Sequence, residues 1–355
     1  MIGDFKALAA SGGMGGFGSR LLAHGLNAEK ALRANSPLLI DEQVVVDQRV
    51  IREFMPRLGV IARLIQNGQW TRLSNPFAVE SLRHYTMSDT SGATLDRNPT
   101  KRTEGDLPDK TPVYTPVYYG FANFQLGIQE LLTSRKGLLP LDLTLIGQKA
   151  RDLAEAFEES VIRGTVGGVA LPQWGSAVAK GILNAPNIHG VQYEGGKPWD
   201  DPTKTVAGIL TDVKAMFAAL DADFAYGAVD LLVPQAWFNA LSFLTNTATD
   251  RTAMSFLKEL ERGGQPLHIQ AADKLPANTA LMYVRSSDVF EVVVGDFGGS
   301  ADDPINAPDK NPVPITVFHW DEQAGLMLNF KLLGCVIPRA KATYGSKSGI
   351  AKLTA

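Results

Sequence analysis

The sequence predicts a fold that mixes helices with strands, on three observations. Residues 142–163 carry the strongest helical periodicity in the chain, residues 71–127 read as a long two-stranded extension, and residues 201–295 alternate helix and strand patterns. A chain of 355 residues that is 45% hydrophobic can bury a sizeable core in one large domain or two to three smaller ones, so general disorder is excluded.

The glycine run at residues 12–18, GGMGGFG, cannot hold a helix alone because each glycine costs ~1 kcal/mol against alanine. An ordered N-terminal arm therefore needs support from outside. Residues 41–66 place Val46, Val50, Phe54, Leu58, Ile61 and Ile65 near one helical face, while Pro56 and Gly59 interrupt the run. A kinked or broken helix is expected.

Between the β-prone runs SLRHYTM and TPVYTPVYYGFANF lies the polar stretch 88–110, rich in Thr, Asp, Gly, Pro and Lys. That pattern predicts a hairpin with an exposed tip, which buries too little apolar surface to order itself and so implies something packed on it. Its tip holds charges of both signs, Asp96, Arg97, Lys101, Arg102, Glu104, Asp106, Asp109 and Lys110. These residues are the candidate site: exposed pairs contribute only ~0–1 kcal/mol each and matter through repetition and register across a subunit contact.

The helix at 142–163 repeats Leu143, Ile146, Ala150, Leu153, Phe157 and Val161 at intervals of three and four. Pro140 and Asp142 supply its start and Gly164 its stop, giving about six turns. Glu155, Glu158 and Glu159 are assigned to its solvated face. Residues 168–190 read as loop with short elements, and 205–220 as a second amphipathic helix through Val206, Ile209, Leu210, Val213, Phe217 and Leu220.

AVDLLVP then reads as a buried strand entering a helix with Pro234 at its first turn, and LHIQAA, ALMYVR and FEVVVG as further strands. Together residues 201–295 form a candidate compact α/β unit. An acidic, proline-rich linker at 296–312 separates it from the strands PITVFHW and GLMLNFKLLGCVI and from a basic tail with Arg339, Lys341, Lys347 and Lys352.

Charge and motif content exclude several functions. With 34 basic and 37 acidic residues the net charge is −3, so no global basic field exists to hold phosphates by counterion release. The single cysteine, Cys335, cannot form an intrachain disulfide and sits among Leu332, Leu333, Val336 and Ile337, which predicts a small buried residue. No window is long and apolar enough to span a bilayer, and the first residues lack a secretory apolar region, so a soluble, cytoplasmically made protein is expected.

The five histidines (His24, His84, His189, His268 and His319) show no metal-ligand spacing and read as structural. Neither the N-terminal glycines nor GSKS at 345–348 forms a phosphate loop, and Ser176 lacks the frame of a nucleophile elbow. Asp302, Asp303 and Asp309 miss the alternating oxygen-ligand pattern of a calcium loop. The expectation is no catalytic residue, no metal and no cofactor.

A reaching arm, a long two-stranded extension and a basic tail all imply neighbours. In that order of parts the chain resembles the major capsid proteins of tailed phages, which share the Hong Kong 97 capsid fold with encapsulin shells. The phrases that carry the resemblance are VYYGFANFQLGIQELL, the helix LTLIGQKARDLAEAFEESVIRGT, the turn KGILNAPNIHG, DLLVPQAWFNAL and GLMLNFKLLGCVIPRAKATYGSKSGI, spanning the chain from about residue 40 to its end.

The resemblance implies an α+β subunit with an N-terminal arm (1–70), an extended loop (71–130), a peripheral domain around a spine helix (131–200 with 311–355) and an axial domain (201–310). It also implies self-assembly into pentamers and hexamers of an icosahedral shell around double-stranded DNA, with portal, scaffolding or decoration proteins as partners. Some family members weld subunits by lysine–asparagine bonds; Lys101 and Lys110 lie in the donor region, but no partner asparagine and acid are identifiable. The alternatives are an encapsulin-type shell around a cargo enzyme, and a soluble α/β enzyme built on residues 201–295.

Overall fold

The structure is a computed structural model that describes residues 40–88, 109–127, 144–173, 178–246, 249–296, 315–321, 327–341 and 347–354. The glycine-rich arm, His24, the start signals Pro140 and Asp142, Ser176, and Asp302, Asp303 and Asp309 lie outside the described residues.

Helix α1 (Ile40–Phe54) runs into a short 3-10 turn (Met55–Arg57) that contains Pro56, and α2 (Gly59–Gln66) restarts the chain beyond it. The broken helix expected from Pro56 and Gly59 is therefore present. Val46, Val50, Phe54, Leu58 and Ile61 are all buried, and Ile65 is half-buried against the same core.

Strands β1 (Trp70–Ser74), β2 (Ser81–Met87), β3 (Lys110–Pro116) and β4 (Gly120–Gly127) follow. Only β2 and β3 form the hairpin, with Ser81 opposite Pro116 and Met87 opposite Lys110. The sequence reading carried the extension on to residue 127, but β4 leaves it after Pro116 and pairs elsewhere.

Helix α3 (Thr144–Arg163) is the long helix of the periodicity, and Gly164 ends it with φ +70°. Its buried side is wider than the predicted stripe, taking in Ala154, Glu158, Ser160 and Ile162 as well as Ile146, Ala150, Leu153, Phe157 and Val161. A tight two-strand turn, β5 (Thr165–Val166) and β6 (Val169–Ala170), comes next.

Strand β7 (His189–Gln192), helix α4 (Val206–Ala222), strand β8 (Val229–Val233) and helix α5 (Gln235–Phe243) lead into the ladder β9 (Thr245–Asn246) and β10 (Arg251–Thr252). Helix α6 (Ala253–Lys258) and the ladder β11 (Glu261–Arg262) with β12 (Gln265–Pro266) follow. Thr205 and Thr252 cap α4 and α6 by accepting from Gly208 N and Ser255 N. The remaining strands are β13 (His268–Ala271), β14 (Ala280–Val284), β15 (Phe290–Asp296), β16 (Ile315–Asp321), β17 (Met327–Gly334), β18 (Val336–Ala340) and β19 (Ile350–Thr354).

Among the described residues, besides the two-stranded ladders, the larger sheets have the orders β1-β15-β18, β16-β17-β4 and β13-β8-β14-β19-β7. Two results differ from the expected 201–295 unit. Its last strand, β15, pairs parallel to β1 and antiparallel to β18, and β14 pairs with β19 from the tail, which in turn pairs parallel to β7. The tail, expected to be unable to order alone, thus ends inside a sheet.

The five-stranded sheet is a wall between two cores. Leu232, Leu281 and Tyr283 face the core around α3, whereas Leu231, Val233, Met282 and Val284 face the core under α4 and α5. That double burial explains why LLV of β8 and ALMYV of β14 read as continuous apolar runs rather than alternating ones. Helix α3 packs on α1, β4 and β18, and its Phe157 ring lies so close to Gly120 that a β-carbon there would sit 2.5 Å from it.

Candidate assembly surface

Of the predicted site residues, Arg97, Lys101, Arg102, Glu104 and Asp106 lie outside the described residues, as does Asp96. Asp109 and Lys110 are described. Asp109 N donates to Ser88 Oγ at 3.0 Å and Ser88 N donates to Asp109 O, which extends the ladder one step beyond Met87–Lys110. Lys110 opens β3 with an exposed side chain.

Exposure along β3 grades from Pro116 and Thr115, which are buried, to Lys110, Thr111 and Pro112, which are exposed. The hairpin is thus rooted at one end and open at the other. Period-two geometry puts Arg83, Tyr85, Pro112 and Tyr114 on one face. There the Arg83 guanidinium lies 4.5 Å from the Tyr85 ring centre and 5.8 Å from that of Tyr114, with the two rings 46% and 40% exposed. The mixed charges of the tip were legible as a candidate surface; this cation–aromatic cluster was missed, although its alternation in RHY and VYT was visible.

The opposite face sits on the β1-β15-β18 sheet. Leu82, Val117, Tyr118 and Tyr119 pack against Val293, Cys335 and Ile337. Tyr119 stacks on Phe77 and its hydroxyl donates to Pro76 O at 2.7 Å. Beneath them Glu291, 2% exposed, accepts from Arg339 Nη1 at 2.9 Å and Thr71 Oγ1 at 3.0 Å and pairs with Lys341 Nζ at 2.9 Å. Arg339 Nη2 in turn donates to Arg83 O at 2.9 Å and so ties the hairpin to the sheet. Burial, then the Arg339 and Lys341 charges, push the His84 imidazole down to about 4.

Cys335 is buried as expected, and burial raises its thiol to about 12, which keeps it in the unreactive form. His189 Nε2 lies 2.8 Å from Asp223 Oδ2, and His268 Nδ1 lies 3.7 Å from Asp230 Oδ1. The His319 side chain lies outside the described residues. Among the described residues no group of three His, Cys, Asp or Glu is placed to hold a metal ion, and no helix is long and apolar enough to cross a membrane.

The buried carboxylates are structural ties. Asp230, fully buried on β8, accepts from Arg63, Asn67 and Arg285 and so fastens α2 to the five-stranded sheet. Burial would raise its carboxyl, but those donors and the Arg285 charge outweigh it and hold it below the ordinary range. Asp212 accepts from Glu194 N, Trp199 Nε1 and Lys204 Nζ at 2.6, 2.7 and 2.8 Å beside the stacked Trp199–Trp237 pair. Asp223 accepts from Ser348 N and Gly349 N, which anchors the tail before β19.

One of the three acids of α3 corrects the sequence reading. Glu155 pairs with Lys274 and Arg57, and Glu159 accepts from Thr165, Gly167 and Gly168 to hold the β5–β6 turn. Glu158, assigned to the solvated face, is 6% exposed and accepts from Val60 N and Ile61 N.

A long spine helix crossed by a broken helix, a two-stranded extension rooted on a small sheet, and a second core under α4 make up an α+β architecture of the Hong Kong 97 type. Comparison with known proteins bears on this directly. No family model and no curated protein matches the chain. Solved structures do. The chain is similar to a virus-like particle from Pyrococcus furiosus at 16% identity and TM-score 0.56, over 88% of this chain and 100% of that one. It is similar to the capsid of Myoviridae phage XM1 at 11% identity and TM-score 0.55, over 81% and 90%. It also matches the capsid of a native GTA particle at 13% identity and TM-score 0.50, over 82% and 89%. The chain has the Hong Kong 97 capsid fold.

Proposed function

We propose that this chain is the major capsid protein of a tailed double-stranded DNA phage, assembling into the pentamers and hexamers of an icosahedral head. The observation that carries the reading is the hairpin: a two-stranded ribbon is marginal in water, and this one grades from a buried root to exposed residues with Tyr85 and Tyr114 left partly uncovered. A neighbouring copy that covers this face would complete the burial that a single chain leaves unfinished. The fold and its likeness to shell proteins support the same role.

In this reading residues 1–70 are the arm, 71–130 the extended loop, 131–200 with 311–355 the peripheral domain and 201–310 the axial domain. Strands β7 and β19 stitch peripheral segments into the axial sheet. Arg97, Lys101, Arg102, Glu104, Asp106, Asp109 and Lys110 pair with charges on a neighbouring subunit, and portal, scaffolding or decoration proteins join the shell. The protein acts as a structural unit of the virion and carries out no reaction on a small substrate.

Negative-stain imaging and sedimentation of the expressed chain test this. Closed particles or capsomers are expected, and a stable monomer at all concentrations would overturn it. A second reading, an encapsulin-type compartment, is favoured by the match over the whole length of the Pyrococcus particle subunit. Nucleic acid inside purified virions supports the first reading; an enclosed protein cargo supports the second.

A further inference from the structure

The restart of the helix at Gly59 leaves α2 without a side-chain cap of its own. Leu58 stands at the N-cap position and has nothing to offer the first amides. Val60 and Ile61 are both fully buried, so water cannot satisfy their N–H groups either. Glu158 supplies the acceptors from the middle of α3, 98 residues away: Oε1 takes Val60 N at 2.6 Å and Oε2 takes Ile61 N at 3.3 Å.

The surroundings of that carboxyl are unusual for an anion. On its own helix, Glu155 is occupied by Lys274 at 2.8 Å and Arg57 at 3.6 Å, and the Arg163 guanidinium is turned to Lys274 O. The loop after β13 presents Asp273 and Lys274, of opposite sign. On α2, Arg63 is committed to Asp230. Among the described residues no cation forms an ion pair with Glu158.

From β13 comes Gln270, whose buried Oε1 has no donor. Gln270 and Glu158 crowd the same space: a β-carbon on Gly59 would lie 3.1 Å from Gln270 Nε2 and 3.8 Å from Glu158 Oε1. The carboxyl thus has two backbone donors and, among the described residues, no ion-pair partner.

We propose that Glu158 is a proton-operated latch between the broken helix α1–α2 and the spine helix α3, so that proton uptake from solvent tightens the seating of α2. The energetic sense follows from burial. Desolvation, against the two backbone N–H groups, raises the Glu158 carboxyl to about 7, and the docked state therefore holds the proton that an undocked, solvated glutamate gives up near 4.5. Docking is strongest below that lower value and weakens as pH rises to about 7, which is the reverse of the usual paired carboxylate.

The experiment is amide exchange of the full chain, read in the segment 59–66 and corrected for intrinsic base catalysis. Protection in the wild type is expected to fall on the order of a hundredfold between about pH 5 and about pH 8. In Glu158→Gln, which keeps an acceptor for one amide but cannot titrate, protection of the same segment is expected to be flat across that window. An equal slope in both proteins, or no slope in the wild type, overturns the proposal.

Should Glu158→Gln fail to fold, infrared difference spectra of the wild type decide. The carbonyl stretch of a buried neutral carboxylic acid should be present near pH 5.5 and gone near pH 8.5. Its absence at the lower pH overturns the latch. Neither readout depends on shell formation.

Discussion

Gly181 meets Gly164 backbone to backbone: a β-carbon on Gly181 would stand 2.3 Å from the Gly164 nitrogen, 2.7 Å from the Arg163 carbonyl carbon and 2.8 Å from Ile162 O. The contact lies where α3 ends. Gly164 turns the chain with φ +70°, and Asn184 Nδ2 donates to the Arg163 carbonyl at 2.5 Å. The glycine and asparagine of KGILN thus close the C-terminus of the spine helix.

Gly181→Ala is therefore expected to cost on the order of 3 kcal/mol, because the intruding methyl meets backbone rather than a mobile side chain. Asn184→Ala should cost about 1 kcal/mol by leaving a helix-end carbonyl without its donor. Thermal unfolding of the two variants checks both, and a Gly181→Ala protein as stable as wild type would contradict the close approach.

Lys204 and Asp212 form a buried pair with side chains 3% and 1% exposed. Removing one charge strands the other, so Lys204→Met alone should lose about 3–5 kcal/mol. The double variant Lys204→Met with Asp212→Leu should recover part of that loss, though Glu194 N and Trp199 Nε1 lose their acceptor. Denaturant midpoints of the two single variants and the double variant give the coupling directly.

How much of this was legible depended on the range of the interaction. The stripe from Ile146 to Val161, the break at Pro56 and the buried strands VDLLV and ALMYV follow from local periodicity and punctuation. Glu158 did not, because its partners Val60 and Ile61 are 98 and 97 residues away and it was grouped with Glu155 and Glu159. The neighbours of the stripe held a hint, since Ala154 and Ser160 are small residues where a solvated face usually carries long ones. Strand β1 went unread for the same reason: its register partner β15 lies about 220 residues further on, Trp70 facing Val292. The tail looked basic and loose because its Lys352 was counted as charge, whereas Ile350, Ala351 and Leu353 are what the sheet buries.

His84 should make the protein acid-sensitive. Burial, then Arg339 and Lys341, hold it neutral down to about 4 in the folded state, whereas the unfolded chain takes its proton near 6.5. The unfolded state thus binds more protons between these values, so stability is fully present above about pH 6.5 and declines as pH falls toward 4. The contribution is about 1–2 kcal/mol once partial exposure is discounted. His84→Asn should flatten that part of the curve of urea midpoint against pH, and an unchanged curve would argue against His84 as the source.

The outward face of the hairpin separates folding from assembly. Among the described residues, Tyr85 and Tyr114 make ring contacts with the Arg83 guanidinium, each contributing about 0.5–1 kcal/mol at an exposed site, and the root of the hairpin is held instead by Leu82, Tyr119 and the Arg339 tie. Replacing both tyrosines by serine should therefore leave the unfolding temperature of the isolated subunit nearly unchanged. If a neighbouring copy covers this face, the same change removes two aromatic anchors from every contact in the shell, and modest losses repeated over all subunits abolish closed particles. Sedimentation and negative-stain imaging of Tyr85→Ser/Tyr114→Ser beside the wild type measure this. Loss of particles with a normal melting curve is the expected result, whereas normal particles of normal stability would remove the hairpin face from the assembly contact.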